Sequence, residues 1–142
     1  MANNAIYKSI FIGSEKKMNF VLVVIGGGIG SLLRYVSTLG INAAFNNKFT
    51  LGTFFVNCVG SLLIGFLVYA LDLFSVDNKW KIFIVTGFLG GYTTYSAYSY
   101  ETINYIVTGN IKYAIINVLI HNIICLLLVL MGIWISKLIF VK

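Results

Sequence analysis

Carboxylates are scarce in this chain, with only four aspartates and glutamates among 142 residues, beside one histidine and two cysteines. Asp72, Asp77 and Glu15 fall at or beyond the ends of the long apolar runs, and Glu101 stands alone. Neither a paired-carboxylate site nor a Ser-His-Asp arrangement can be assembled from these positions, so an enzyme is not expected. Cys58 and Cys125 lie within apolar runs, and His121 alone cannot complete a metal set with them, so both read as small buried side chains. His121 itself reads as a packing histidine near a segment end rather than a proton carrier. Also missing are a soluble domain, a linker and a low-complexity tract. The first 17 residues are too polar and too broken to supply the apolar core of a cleavable secretory signal, so this extension is expected to stay on the chain.

What is abundant is apolar surface. Hydrophobic residues make up 59% of the chain and charged residues 10%, against about 25% charged in soluble domains, and the mean hydropathy is +0.93. The composition is that of an all-α integral membrane protein. Beyond the polar extension, residues 1–17, the rest of the chain, residues 18–142, divides into four segments at about 19–45, 53–73, 80–107 and 113–140. Each is long enough to cross a hydrocarbon core of about 30 Å as a helix. Four helices enclose too little space for an aqueous path, so an oligomer is expected. The net charge of +6 does not point to nucleic acid, because the basic residues are scattered around apolar segments and form no face. They report topology instead. Lys8, Lys16, Lys17, Lys79, Lys81, Lys137 and Lys142 fall on one side and Lys48 and Lys112 on the other, which predicts cytoplasmic termini.

Within the segments, polar residues are few and grouped. In "GGGIGSLLRY" Gly26, Gly27 and Gly30 have the spacing that lets two membrane helices approach closely. Arg34 follows them; a central arginine costs about 2.5 to 3.5 kcal/mol to insert, so it either snorkels to the interface or lines an anion-attracting vestibule. In "GTFFVNCVGSLLIG" the carboxamide of Asn57 needs a partner, as an interhelical clasp or as a donor to a dehydrated anion. The third segment holds "GFLGGYTTYSAYSYE", and Gly90-Gly91 followed by Tyr92-Thr93-Thr94 predicts a helix break there. Broken backbone at membrane depth must be buried in protein or line a cavity, and its carbonyls can hold a hard cation such as Na⁺. After the break Tyr95 and Tyr98 share a face with Tyr92 close to the same stripe, beside Ser96 and Ser99. This stripe reads as core or interfacial packing, or as ring edges offering an anion a dry contact.

Taken together, these three motifs resemble those of the small bacterial fluoride channels, the Fluc or CrcB family, in the same helix order over residues 20–140. The resemblance implies a four-helix subunit with a broken third helix in an antiparallel, dual-topology dimer in the cell's inner (plasma) membrane, where fluoride and membrane lipid are its other partners. It implies passive fluoride export through pores lined by Asn57, Tyr95, Ser96, Tyr98 and Arg34, and a structural, untransported Na⁺ on the main-chain carbonyls of Gly90 and Thr93. Tyrosines stand at positions 95 and 98 where the family has phenylalanine, Ala97 replaces a threonine, and Cys125 replaces a serine. These departures leave open a non-conducting or half-conducting partner subunit. The lysine bias favours one orientation, and hence a heterodimer with an oppositely oriented sister over a homodimer. A small four-helix cation or drug exporter would need a carboxylate in the first helix, where Arg34 stands instead.

Overall fold

The computed structural model describes residues 2–45 and 50–141, with side chains from Glu15 onward. Lys48, Lys142 and the side chain of Lys8 lie outside the described residues. The chain is an all-α, multi-pass membrane protein. Helix α1 (Ala2–Phe45) contains 44 residues, about 66 Å at 1.5 Å per residue. That is more than twice the hydrocarbon thickness, and the apolar part suited to crossing is Glu15–Phe45. The polar extension is therefore continuous with the first crossing as helix. Helices α2 (Leu51–Leu73) and α6 (Ile111–Phe140) are the second and fourth crossings, and both are long and apolar enough to span.

The third crossing is assembled from pieces. It comprises α3 (Asn78–Lys81), a π-helical stretch (Ile82–Leu89), α4 (Gly90–Tyr92) and, after two extended residues, α5 (Tyr95–Val107). Neither half spans a bilayer alone.

Helices α2 and α6 run parallel and in register, since Phe54 meets His121 edge-on at 5.2 Å and Phe74 meets Phe140 at 5.1 Å between ring centroids. Glycine makes this pairing close. A Cβ at Gly65 would collide with the Val129 carbonyl, and one at Gly132 with that of Leu62. The glycines of α1 act likewise against the third crossing: Gly30 lies on the Phe88 carbonyl and Gly26 on that of Phe83. The small-residue spacing in α1 thus does what it does in membranes generally, letting backbones approach where larger side chains would hold them apart.

With no proline in the chain, the break needs another cause, and it falls two residues later than the glycines suggest. Gly90 and Gly91 are helical. A Cβ on Gly91 would sit 2.5 Å from the Gly27 carbonyl oxygen, so this glycine serves helix approach. The extended residues are Thr93 (φ −88°, ψ 159°) and Thr94 (φ −150°, ψ 117°), β-branched residues that suit such backbone.

A methyl group at Gly30 must therefore displace α1 from the third crossing, while at Gly40 nothing lies within 4 Å of the added atom. We expect Gly30→Ala to lower stability by about 1 to 3 kcal/mol, the usual range for overpacking, and Gly40→Ala to cause no loss. Thermal unfolding of the detergent-solubilised protein, followed by size-exclusion retention, checks both.

Candidate functional site

Breaking a membrane helix frees backbone groups, and here several are met by particular residues. The Thr93 N–H and its Oγ1 both donate to the Leu89 carbonyl, each at 3.0 Å. Thr94 caps α5, its Oγ1 accepting from the Ala97 N–H at 3.2 Å, a favoured role for threonine. From α2, Asn57 pairs with Thr94 twice: Nδ2 donates to the Thr94 carbonyl at 3.0 Å, and Oδ1 accepts the Thr94 N–H at 2.8 Å. From α1, Arg34 Nε donates to the Gly91 carbonyl at 3.1 Å, and Ser31 Oγ approaches the same oxygen at 3.5 Å. Asn57 is thus an interhelical clasp, and Arg34 holds the opposite side of the break.

The carbonyls of Gly90 and Thr93 are among those left over. In an unbroken helix the Thr94 N–H would serve Gly90 and the Ala97 N–H would serve Thr93; both donors are diverted, to Asn57 and to the Thr94 side chain. The Gly90 and Thr93 oxygens are thereby free of their regular helical partners. Hard, neutral oxygens of this kind suit Na⁺.

Beside the break lies a cleft of about 410 Å³ between α2, the two halves of the third crossing, and α6. Asn57, Gly90, Thr93, Tyr95 and Tyr98 all line it. Tyr98 is buried, at 8% exposure, whereas Tyr95 is 78% exposed, and their rings lie 5.2 Å apart. The Tyr98 hydroxyl oxygen accepts from Asn122 Nδ2 at 3.2 Å, which leaves its hydrogen available to a ligand. Asn57 Nδ2 likewise keeps a second hydrogen beyond the one given to Thr94.

The structure does not gather every predicted site residue there. Ser96 is exposed on α5, 3.2 Å from Thr94 Oγ1, and is off the cleft wall. Arg34 is also off that wall. Tyr92 leaves the tyrosine stripe altogether: it is buried and stacked on Phe88 at 6.2 Å. The extended residues reset the helical phase, so spacing counted across the break misplaces it.

Other residues enter unannounced. Glu101 is not isolated, because its oxygens accept from Thr53 Oγ1 at 2.5 Å and from Thr50 Oγ1 at 2.8 Å. The Thr50 N–H donates to the Tyr105 hydroxyl at 2.9 Å, completing a junction between the start of α2 and α5. An acid inside a membrane segment demands partners, and the two threonines supply them. Asn117 is wholly buried, with Nδ2 donating to Thr102 Oγ1 at 2.9 Å. His121, Asn122 and Cys125 complete the α6 wall of the cleft. Cys125 faces Cys58 of α2 within thiol hydrogen-bonding reach, and both are free thiols. The four-residue spacing of His121 and Cys125 on one helix was the available signal for this wall.

Residues 21–133 match the family model described as CrcB-like protein, Camphor Resistance (CrcB). The fluoride-specific ion channel FluC of Clostridium perfringens is 35% identical over 127 residues, 89% of this chain and 99% of the relative. The protein of the same name from Hydrogenobaculum is 38% identical over 116 residues, covering 81% and 94%. That from Pyrococcus abyssi is 39% identical over 113 residues, covering 79% and 90%.

Removing the Asn57 side chain leaves the Thr94 N–H without its partner. Asn57→Ala is expected to destabilise the protein by about 1 to 3 kcal/mol and to raise the amide exchange of Thr94 more than that of residues in α6. Hydrogen exchange in detergent micelles checks the location as well as the size of the effect.

Proposed function

Because the chain belongs to the CrcB-like family, and its relatives bear the name fluoride-specific ion channel, we propose that it is a subunit of a fluoride channel whose path runs along the cleft at the break. On this reading it carries fluoride out of the cytoplasm down its gradient. The family is one of channels, not enzymes. The observation that carries the reading is the clasp of Asn57 on Thr94, which keeps the break open while leaving one amide hydrogen and the Tyr98 hydroxyl hydrogen turned to the same cleft. A small anion stripped of water needs such donors, and the positive edges of the Tyr95 and Tyr98 rings add weaker contacts. Ser96 and Arg34 act at the approaches. Neither touches the cleft wall, but Ser96 lies exposed beside Thr94, and Arg34 brings a cation to the far side of the break.

The working unit is a dimer with an oppositely oriented second subunit. In one chain the cleft is open along a side, with Tyr95 78% exposed and Gly90 exposed. A second subunit covers that side and supplies its own pair of Gly90 and Thr93 carbonyls, and the doubled set binds a structural Na⁺ that stays in place. The lysines favour one orientation, with Lys16, Lys17, Lys79, Lys81 and Lys137 at the cytoplasmic end and Lys112 at the other. The partner is therefore a sister subunit, and both termini of this chain lie on the cytoplasmic side of the plasma membrane.

The hydroxyls on Tyr95 and Tyr98 favour a second reading, in which this subunit's own pore is closed and it supports a conducting sister. Fluoride efflux from liposomes separates the two. The chain is reconstituted alone, with a sister of opposite orientation, and as the Tyr95→Phe/Tyr98→Phe double variant. Efflux only with the sister supports the heterodimer, and efflux that rises about tenfold or more in the double variant supports the closed pore. Efflux from the chain alone at full rate removes both refinements, and none in any arrangement overturns the channel.

A further inference from the structure

His121 is the one imidazole of the chain, and its two nitrogens are treated very differently. Nδ1 lies 3.1 Å from the Asn117 main-chain carbonyl. A carbonyl oxygen only accepts, so Nδ1 carries the hydrogen and the neutral ring presents Nε2 as a bare lone pair. That Nε2 is buried without a partner, in a side chain only 6% exposed that lines the cleft. An orphaned buried polar atom beside a ligand path calls for a reason. As a lone pair it repels an anion, whereas with a proton it becomes a charged donor, among the strongest an anion can meet.

We propose that His121 is a conditional fluoride ligand: neutral, it disfavours the anion in the cleft, and protonated at Nε2 it donates to it. The inference rests on the channel reading of the same cleft. Its surroundings leave the imidazole to act alone. Phe54 of α2 packs edge-on against it, and Tyr98 of α5 lies 4.6 Å away between ring centroids. The other titratable groups near it are Cys125, one turn along α6, and Cys58 of α2, which faces Cys125. Glu101 follows Tyr98 on α5 but is engaged by Thr50 and Thr53. Among the described residues no carboxylate or cation is paired with the ring. Fluoride is thus the natural counter-ion of the imidazolium, and the pathway would open as the ring takes up a proton.

This single histidine makes the test unambiguous. In detergent-solubilised protein labelled with ¹⁵N-histidine, the nitrogen shifts at neutral pH should report the Nδ1–H tautomer. Added sodium fluoride should move the midpoint of the titration to higher pH, because an anion bound to the protonated form stabilises it; equal sodium chloride should not. In liposomes, efflux corrected for the leak of protein-free vesicles should rise about tenfold between pH 8 and pH 5.5, the scale of a charge-assisted hydrogen bond. His121→Gln should flatten that rise, and His121→Ser serves if the glutamine variant does not fold. An Nε2–H tautomer, a midpoint indifferent to fluoride, or a pH-independent efflux overturns the proposal. If liposomes holding the chain, alone and with its sister subunit, pass no fluoride at any pH, the channel reading fails, and the fluoride-dependent titration still decides whether His121 binds the anion.

Discussion

A backbone amide and carbonyl inside a bilayer cannot be left to solvent, and the two hydrogen bonds from Asn57 to Thr94 meet that constraint. Without them the Thr94 N–H would lose its partner and the clasp between α2 and the break would be gone. With them, its two halves can be offset, the Gly90 and Thr93 carbonyls are released, and space opens between α2, α5 and α6. Arg34 does the complementary work on the far side, where it holds the Gly91 carbonyl. The glycine contacts of α1 with Phe88 and Gly91 fix the height at which this can happen, since any larger side chain there would push the broken helix away.

The cleft that results is sparingly polar. Beside Asn57, Tyr98 and Asn122 its wall includes apolar residues such as Leu89 and Leu126, and the polar groups present are mostly engaged with one another. That economy suits a small, strongly hydrated anion that must be taken up without offering a larger one a matching set of donors. It also explains why two tyrosine hydroxyls matter. Tyr98 is buried and held by Asn122, and its hydroxyl keeps a hydrogen to donate. Tyr95 is mostly exposed, and what it does depends on the surface that comes to cover it.

Much of this was legible in the sequence because membrane crossings leave a plain signal: length and hydropathy placed the last three crossings and the end of the first to within a few residues of the helices observed, whereas α1 begins at Ala2, well ahead of the expected start. The glycines of α1 and the need of Asn57 for a partner were legible for the same reason, since sterics and unpaired polar groups act locally. The break was anticipated from the glycine pair and the threonines together, but only Thr93 and Thr94 leave the helix, because packing against Gly27 holds Gly91 helical. Tyr92 was misplaced for want of the helical phase across Thr93 and Thr94. Glu101 with Thr50 and Thr53, and Asn117 with Thr102, join distant segments, and no spacing along one chain reveals such pairs.

The central claim, that the clasped break opens a passive path for fluoride, is tested most directly by current through a planar bilayer containing this subunit in its native assembly. With a fluoride gradient and equal chloride, sodium and proton concentrations on both sides, the current should reverse at the fluoride equilibrium potential, and it should stay there when a proton gradient is imposed. A reversal potential that follows chloride or protons, or the absence of fluoride current from the assembled protein, would contradict the account.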